Sequence, residues 1–419
     1  LDHAIQQRIM PIQQETSLIK LSRRMLNVKS SPTVALNAKA KAMAAQGIKV
    51  ANFAVGEPDF PTPQSVVDVA IKALNAGRTK YGAAGGGPQI RQAIAQKLKR
   101  DNGVEFPDAD IVVGIGAKEI LFHVFLAVVN EGDEVLIPSP YWVSYPDQII
   151  AAGGKPVCLP VPADIAGAPL DVAAIERAAT ERTTGIVLNS PNNPAGYVLS
   201  EQSLRALGEL LKKKNWWIIA DEIYEYLAFD RPHVSLLKLF PELKDRFILV
   251  NGMSKGYAMT GWRVGYAAGP SETMRLVRDL QSHSSTCLPP FIEEAATFAL
   301  QQGPQLLAKE FERMKARRDL CCRLFDERRK EDRGGSANRL GYVPPQGAFY
   351  LFIDARQLIA SGKAASSMAL AARFLEEAHV AVVPGEAFGA PGYLRMSYAT
   401  DEATIEAGVR RMIASAAAL

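Results

Sequence analysis

Residues 186–224 read IVLNSPNNPAGYVLSEQSLRALGELLKKKNWWIIADEIY. The apolar run Ile186-Val187-Leu188 gives way to an Asn/Pro loop, then to the segment 200–214, then to a second apolar run over 216–220. Within 200–214, Leu204, Leu207, Leu210 and Leu211 fall on one face of a helix, and Ser200 is placed to cap its N-terminus. Short apolar run, amphipathic helix, short apolar run is the strand–helix–strand unit of a parallel sheet. Such a sheet gathers its ligand at the carboxyl ends of its strands. The residues to watch are therefore those that follow each run, here 189–196 and 221–224.

The alternation continues in both directions. Ile111-Val112-Val113 and the runs 134–137 and 247–250 read as further short buried strands, and 119–129 reads as a helix. Toward the C-terminus the text changes. A long helical pattern over 306–329 leads to a strand at 348–353, a helix at 367–378, the run 380–383 and a strand at 393–398. The expectation is an α/β protein. Its large domain, 66–310, holds a mainly parallel sheet flanked by helices. A smaller α+β domain is built from 21–65 and 311–419. Residues 1–20 are set aside as an N-terminal extension, because they lack the apolar core of a secretory signal and begin with Leu1 rather than Met.

Composition narrows the function classes. The 419 residues leave room for two or three domains, and 48% hydrophobic with 22% charged residues suits a packed globular chain. The longest apolar stretches run to about half a dozen residues, against the roughly 18 that a bilayer helix needs, so no transmembrane helix is expected. A net charge of +4 is close to neutral for this length. The most basic stretch, Arg313-Met314-Lys315-Ala316-Arg317-Arg318, is bracketed by Glu312 and Asp319 and reads as a solvated helix face. Neither nucleic acid nor membrane is an expected partner. The 4 cysteines and 5 histidines are scattered without zinc-ligand spacing. No metal and no disulfide framework is expected, and a reducing cytoplasm is the default compartment.

The strand ends carry the chemistry. Gly114-Ile115-Gly116-Ala117-Lys118 opens the helix after the first strand, where free backbone amides and the helix dipole offer a phosphate seat. Taken alone this is also an ordinary tight turn. After 186–188, Asn189 to Gly196 is a Pro-fixed loop with consecutive amide side chains. Asp221 directly follows five apolar residues, with Tyr224 close behind, and an acid so placed needs a cationic or protonated partner. After 247–250 come Ser254 and Lys255, and Arg263 lies eight residues beyond Lys255. Phosphate seat, amides, buried acid, phenol, amine and guanidinium on one edge fit a pyridoxal phosphate site. A nicotinamide site is disfavoured, since no Gly-x-Gly-x-x-Gly follows the first strand, and the glycine-rich 82–87 has no strand just before it.

Several blocks now point the same way: Gly56-Glu57-Pro58-Asp59-Phe60, Pro140-Tyr141-Trp142-Val143-Ser144-Tyr145, Asn192-Asn193-Pro194, Asp221-Glu222-Ile223-Tyr224, Ser254-Lys255, Met259-Thr260-Gly261-Trp262-Arg263, Gly347-Ala348-Phe349-Tyr350 and Arg395-Met396-Ser397-Tyr398-Ala399. In this order they resemble a class I aminotransferase of the fold-type I pyridoxal phosphate superfamily over roughly residues 20 to 415. The similarity is to the bacterial and plastid subgroup of aspartate and prephenate aminotransferases. The resemblance implies that Lys255 forms the Schiff base and then shuttles the substrate proton, while Asp221 keeps the pyridine nitrogen protonated. It further implies that Tyr224 and Asn193 bond the ring oxygen and that Trp142 stacks on the ring. Gly116, Ala117, Lys118, Ser254 and Arg263 would hold the phosphate, joined by Tyr81 from a second subunit, with Ser285 or Thr286 as candidates for the same role. Arg395 would take the substrate α-carboxylate in two-pronged fashion, with Gly56 beside it.

The same resemblance implies a homodimer with shared sites and small-molecule amino-acid and 2-oxo-acid substrates. Lys118 and Thr33 stand where the subgroup binds a distal carboxylate. Lys118 can also be a phosphate counter-charge, and Thr33 a helix N-cap. Ala195 replaces a usual threonine and Gly87 a large aliphatic residue, both near the pocket. The expected reaction is ping-pong transamination between an acidic amino acid (aspartate or glutamate, with prephenate/arogenate as a further candidate) and a 2-oxo acid, through pyridoxamine phosphate. Elimination, replacement or cyclisation on the same scaffold is the alternative enzyme. A binding module that has kept the fold is the non-catalytic one.

Overall fold

The computed structural model describes residues 19–30, 32–331 and 340–419. The expected N-terminal extension lies almost wholly outside the described residues. The first strand, β1 (Ala51–Asn52), pairs in parallel not with the large sheet but with β11 (Val380–Ala381) near the other end of the chain.

The large sheet has seven strands: β2 (Ile111–Ile115), β3 (Glu134–Ile137), β4 (Lys155–Cys158), β5 (Thr183–Asn189), β6 (Trp217–Asp221), β7 (Phe247–Gly252) and β8 (Val264–Ala268). Their spatial order is β2-β8-β7-β6-β5-β3-β4, and β8 runs antiparallel to both of its neighbours. The central strands are buried on both faces, which explains their continuous apolar reading. Ile186, Leu188, Ile218, Ala220 and Leu249 pack toward Leu204, Leu207 and Leu211 of the helix Glu201–Lys212 and toward Ile90 and Ile94 of the helix Pro88–Lys97. The alternate residues Val187, Ile219, Ile248 and Val250 pack toward Ile120, Leu121 and Val124 of the helix Ala117–Val128 and toward Met274 and Val277 of the helix Ser271–Ser282. The Ser200 side chain caps its helix as expected, accepting from the Ser203 amide.

The C-terminal unit has an antiparallel sheet in the order β12 (Val383–Pro384), β13 (Tyr393–Ser397), β10 (Tyr350–Asp354), β9 (Gly341–Val343). The long helix Ala308–Glu331 packs on it and against the helix Glu402–Ala417, which lies over β1 and β11.

The structure corrects several sequence boundaries. The strand expected over 216–220 is shifted by one residue, so that Asp221 ends β6 rather than following it. The strand expected from residue 348 begins at Tyr350, because Ala348 has φ 55° and its amide bonds Leu227 O, shortly after β6, at 2.7 Å. In the large sheet two strands were not expected at all, and outside it β1 and β9 were not expected either. β4 is a half-exposed strand carrying Pro156, and β8 reads Val-Gly-Tyr-Ala-Ala. The basic stretch 313–318 is not a solvated face throughout. Arg317 is buried and holds Asp59 at 2.7 and 2.9 Å and Glu402 at 2.9 Å, and buried Arg318 holds Asp230 at 2.6 and 3.0 Å. Desolvating a guanidinium is tolerable only with such paired carboxylates.

Candidate active site

The carboxyl edge of the sheet opens into a cavity of about 320 Å³. Every strand of the sheet but β4 delivers part of its wall. Ala117 lies just beyond β2, Trp142 follows β3, Asn189 ends β5 with Asn193 just beyond, Asp221 ends β6, and Lys255 lies on the short helix Met253–Gly256 after β7. β8 runs the other way, so it is the residue entering it, Arg263, that reaches this edge.

Lys255 Nζ donates to Gly56 O at 2.6 Å. Burial pushes its ammonium pKa down to about 8; Glu57 opposes the shift, while Arg395, Arg263 and Lys118 add to it. Asp221 accepts from Tyr145 Oη at 2.7 Å and from the Ile223 amide at 3.3 Å. Burial nonetheless raises its carboxyl to about 6, because these donors only partly offset the loss of water. The protonated partner that the acid demanded is thus a phenol within the chain. Tyr145 also meets Trp142 edge-on, with ring centroids 5.3 Å apart.

Tyr224 is buried, and its hydroxyl lies 2.8 Å from that of Tyr350. The Arg395 guanidinium stacks 4.6 Å over the Tyr350 ring and donates to Asn193 Oδ1 at 3.1 Å and Ala54 O at 2.7 Å. Its Nε is buried without a partner. Burial pulls the Arg395 pKa down from its ordinary value. A buried arginine with an idle donor at a cavity wall is a built seat for an anion.

The phosphate seat is equally specific. Gly116 has φ 87°, and a Cβ there would lie 2.4 Å from Arg263 Nη2. Gly265 in β8 is forced by the same crowding, since a Cβ would lie 2.0 Å from the Ala117 amide nitrogen. The helix Ala117–Val128 begins with no side-chain cap, leaving its N-terminus beside the buried Ser254 and the solvent-exposed Arg263 at one cavity wall. Lys118 lies 5.1 Å over the Trp142 ring, and burial followed by Arg263 lowers its pKa. Thr33 lines the cavity with its hydroxyl buried and unpartnered, inside a helix that begins at Pro32; it is not an N-cap.

One set of expected residues does not reach this cavity. Tyr81 is 87% exposed and lines a separate cleft with Ser285 and Thr286. Tyr145 and Tyr350 were missed as functional residues although both lie in quoted blocks. The one signal for Tyr145 was its three-residue spacing from Trp142 on a helical turn. Among the described residues no cluster of three His, Cys, Asp or Glu could hold a metal, and no helix is long and apolar enough to cross a membrane.

Residues 48–412 match the family described as aminotransferase class I and II, and the chain belongs to that family. It is 40% identical to the aspartate aminotransferase of Geobacillus stearothermophilus over 94% of this chain and 98% of that one. It is 41% identical to a probable aspartate/prephenate aminotransferase of Aquifex aeolicus over 94% and 97%. Its fold superimposes on the aspartate aminotransferase of Thermus thermophilus solved with maleate, with a TM-score of 0.87 and 37% identity over 95% of this chain and all of that one. The enzyme is therefore aspartate aminotransferase-like, and its chemistry is transamination. The family and the fold class expected from the motif blocks are borne out.

Proposed function

We propose that this chain binds pyridoxal 5'-phosphate in the 320 Å³ cavity and moves the amino group of an acidic amino acid to a 2-oxo acid. The observation that carries the reading is the gathering around one cavity of a buried amine, a buried acid and two further cations of different kind. These are Lys255, Asp221, Arg395 and Lys118. The residues fit the cofactor: the glycine-only cradle at Gly116 with Ala117, Lys118, Ser254 and Arg263 suits a phosphate, and Asp221 suits a pyridinium N–H. When bound, the cofactor supplies a carbonyl for the amines and an electron sink for the electrons left by the departing Cα proton.

The chain's own residues do the rest. Lys255, with its amine held down near pKa 8, can take a proton at Nζ and give it back close to neutral pH. A cationic N–H facing Asp221 would favour the carboxylate over the acid that burial alone prefers, and Tyr145 fixes the second oxygen. Tyr224 and Asn193 donate toward the ring oxygen, and Trp142 closes one face to water. Arg395 receives the α-carboxylate, for which its unpartnered Nε is the free prong, with Gly56 close by.

Substrate choice falls to Lys118 and Thr33, which would hold the distal carboxylate. The unpartnered Thr33 hydroxyl and the maleate, a dicarboxylate, of the Thermus thermophilus structure support this. The exposure of Tyr81 beside Ser285 and Thr286 supports a homodimer in which Tyr81 of the partner subunit completes the phosphate shell. Such an enzyme would work in the cytoplasm.

The test is a single half-reaction. Cofactor-loaded protein is mixed in turn with L-aspartate, L-glutamate and a neutral amino acid while the cofactor band is followed. Loss of the band with the matching 2-oxo acid, for the acidic donors only, is expected. A band that persists, or that yields ammonia or a cyclised product, overturns plain transamination. Lys118→Met should raise KM for dicarboxylic substrates about tenfold or more and leave neutral ones little changed. An equal loss for both would return Lys118 to phosphate binding.

A further inference from the structure

Asp221 and Glu222 are adjacent, and the two-residue period of a strand sends them to opposite faces of the sheet. Asp221 reaches Tyr145 and the cavity. Glu222 enters a buried set of charges on the other face that no catalytic step uses. Lys97, at the end of the helix Pro88–Lys97, is fully buried; its ammonium pairs with Glu225 and donates to Asn102 Oδ1 at 2.7 Å. Asn102 Nδ2 donates to Glu225 Oε2 at 2.7 Å and to Glu222 Oε2 at 3.1 Å. Asn251 Nδ2, in β7, donates to Glu225 Oε1 at 2.9 Å. His233 Nε2 lies 3.1 Å from Glu222 Oε2, off the line of a hydrogen bond. The Tyr226 ring lies 5.3 Å from Lys97 Nζ.

These contacts connect the backbone just after Asp221 to the strand that leads into Lys255. Glu225 and Asn251 are linked directly, and the Glu222 amide bonds Val250 O at 2.9 Å. Placing an ammonium and two carboxylates in a core costs several kcal/mol for each ion before pairing, and an apolar core of the same shape is as stable or more so. What an apolar core lacks is direction. A hydrogen-bonded ionic lattice fixes the relative position of the elements that carry it, and a shift of about 1 Å in a catalytic group costs on the order of 100-fold in rate.

We propose that Lys97, Asn102 and Glu225 are positioning residues, a brace behind the sheet that holds Asp221 and Lys255 at a fixed separation. The brace also sets a charge. Burial works against Glu222, but His233, then Ser235 and last Lys97 hold it ionised, and that anion in turn pushes Asp221 upward. The proposal rests on the roles given above to Asp221 and Lys255.

The test uses the loaded full-length enzyme and the double variant Lys97→Met/Glu225→Gln, which removes both charges and leaves neither partner stranded. Three quantities are read: the pH midpoint of the cofactor absorption band, the equilibrium affinity of the cofactor-free chain for pyridoxal phosphate, and kcat separately from KM. The expected result is a midpoint moved by about half a pH unit or more, an affinity about tenfold weaker, and kcat about tenfold lower with KM little changed. Should the double variant fail to fold, Glu225→Gln alone, which is isosteric, is read in the same way with the same expectation. A folded variant with the wild-type midpoint and affinity overturns the brace. A wild-type chain that binds no pyridoxal phosphate overturns instead the reading of the site, so the two failures are told apart.

Discussion

Lys255 and Asp221 are held in protonation states that folding alone disfavours, and the cost has a definite pH window. The Lys255 amine falls from 10.5 to about 8 on folding. Between those values the unfolded chain keeps a proton that the folded chain has lost, so stability rises with pH across the window; below about 8 the folded protein bears the full penalty. Cofactor-free Lys255→Met is therefore expected to be more stable than the cofactor-free wild type at pH 7, by on the order of 2–3 kcal/mol, with the gap closing toward pH 10.5. Urea unfolding at several pH values measures this; a less stable variant at pH 7 would contradict it. Asp221 behaves in the opposite sense. Its carboxyl rises from 3.8 to about 6, so stability falls as pH climbs between those values, and Asp221→Asn should gain stability at pH 7 but not at pH 4. In turnover, Lys255→Ala should lose at least about 10⁴-fold in the half-reaction. Arg395→Lys should lose roughly 100-fold in kcat/KM, since an ammonium cannot reproduce the two-pronged geometry.

At the scale of elements, the site is a row of strand ends, and what made it legible was the position of its residues within a few places of the end of an apolar run. Asp221, Lys255 and Gly116 stand out for that reason. Tyr145 and Tyr350 do not: a phenol inside a helix or at the start of a strand looks the same whether it fills a core or bonds a catalytic group. The pairing of Tyr350 with Arg395 spans two strands of the small sheet and has no local trace. The two unexpected strands of the large sheet were hidden for different reasons. β4 is half exposed with a proline in it, and the apolar run of β8 is interrupted at Gly265, which must be glycine to pass the helix N-terminus. Replacing Gly116 by Ala forces a Cβ onto Arg263 in a left-handed backbone, and equilibrium titration should show cofactor affinity at least about tenfold weaker. Ser200→Ala removes only a cap, and denaturant unfolding should register a loss of about 1 kcal/mol with the half-reaction unchanged.

For the whole molecule the decisive prediction is shared sites. Light scattering should find a dimer. Mixing inactive Lys255→Ala subunits with Tyr81→Ala subunits should restore activity to about a quarter of the sites, because only one site of each hybrid has both residues intact. No recovery on mixing would place Tyr81 outside the partner's site. Distances along the chain have a further consequence, for synthesis. Arg395 bonds Asn193 across 202 residues and Ala54 across 341. A nascent chain that has already assembled every strand of the large sheet still lacks its carboxylate anchor, and gains it only when β13 emerges and docks. On the proposed roles, a ribosome stalled shortly before that strand would hold a chain with its phosphate seat in place and no means of gripping a substrate, so the order of residues alone would keep half-made chains from turning over.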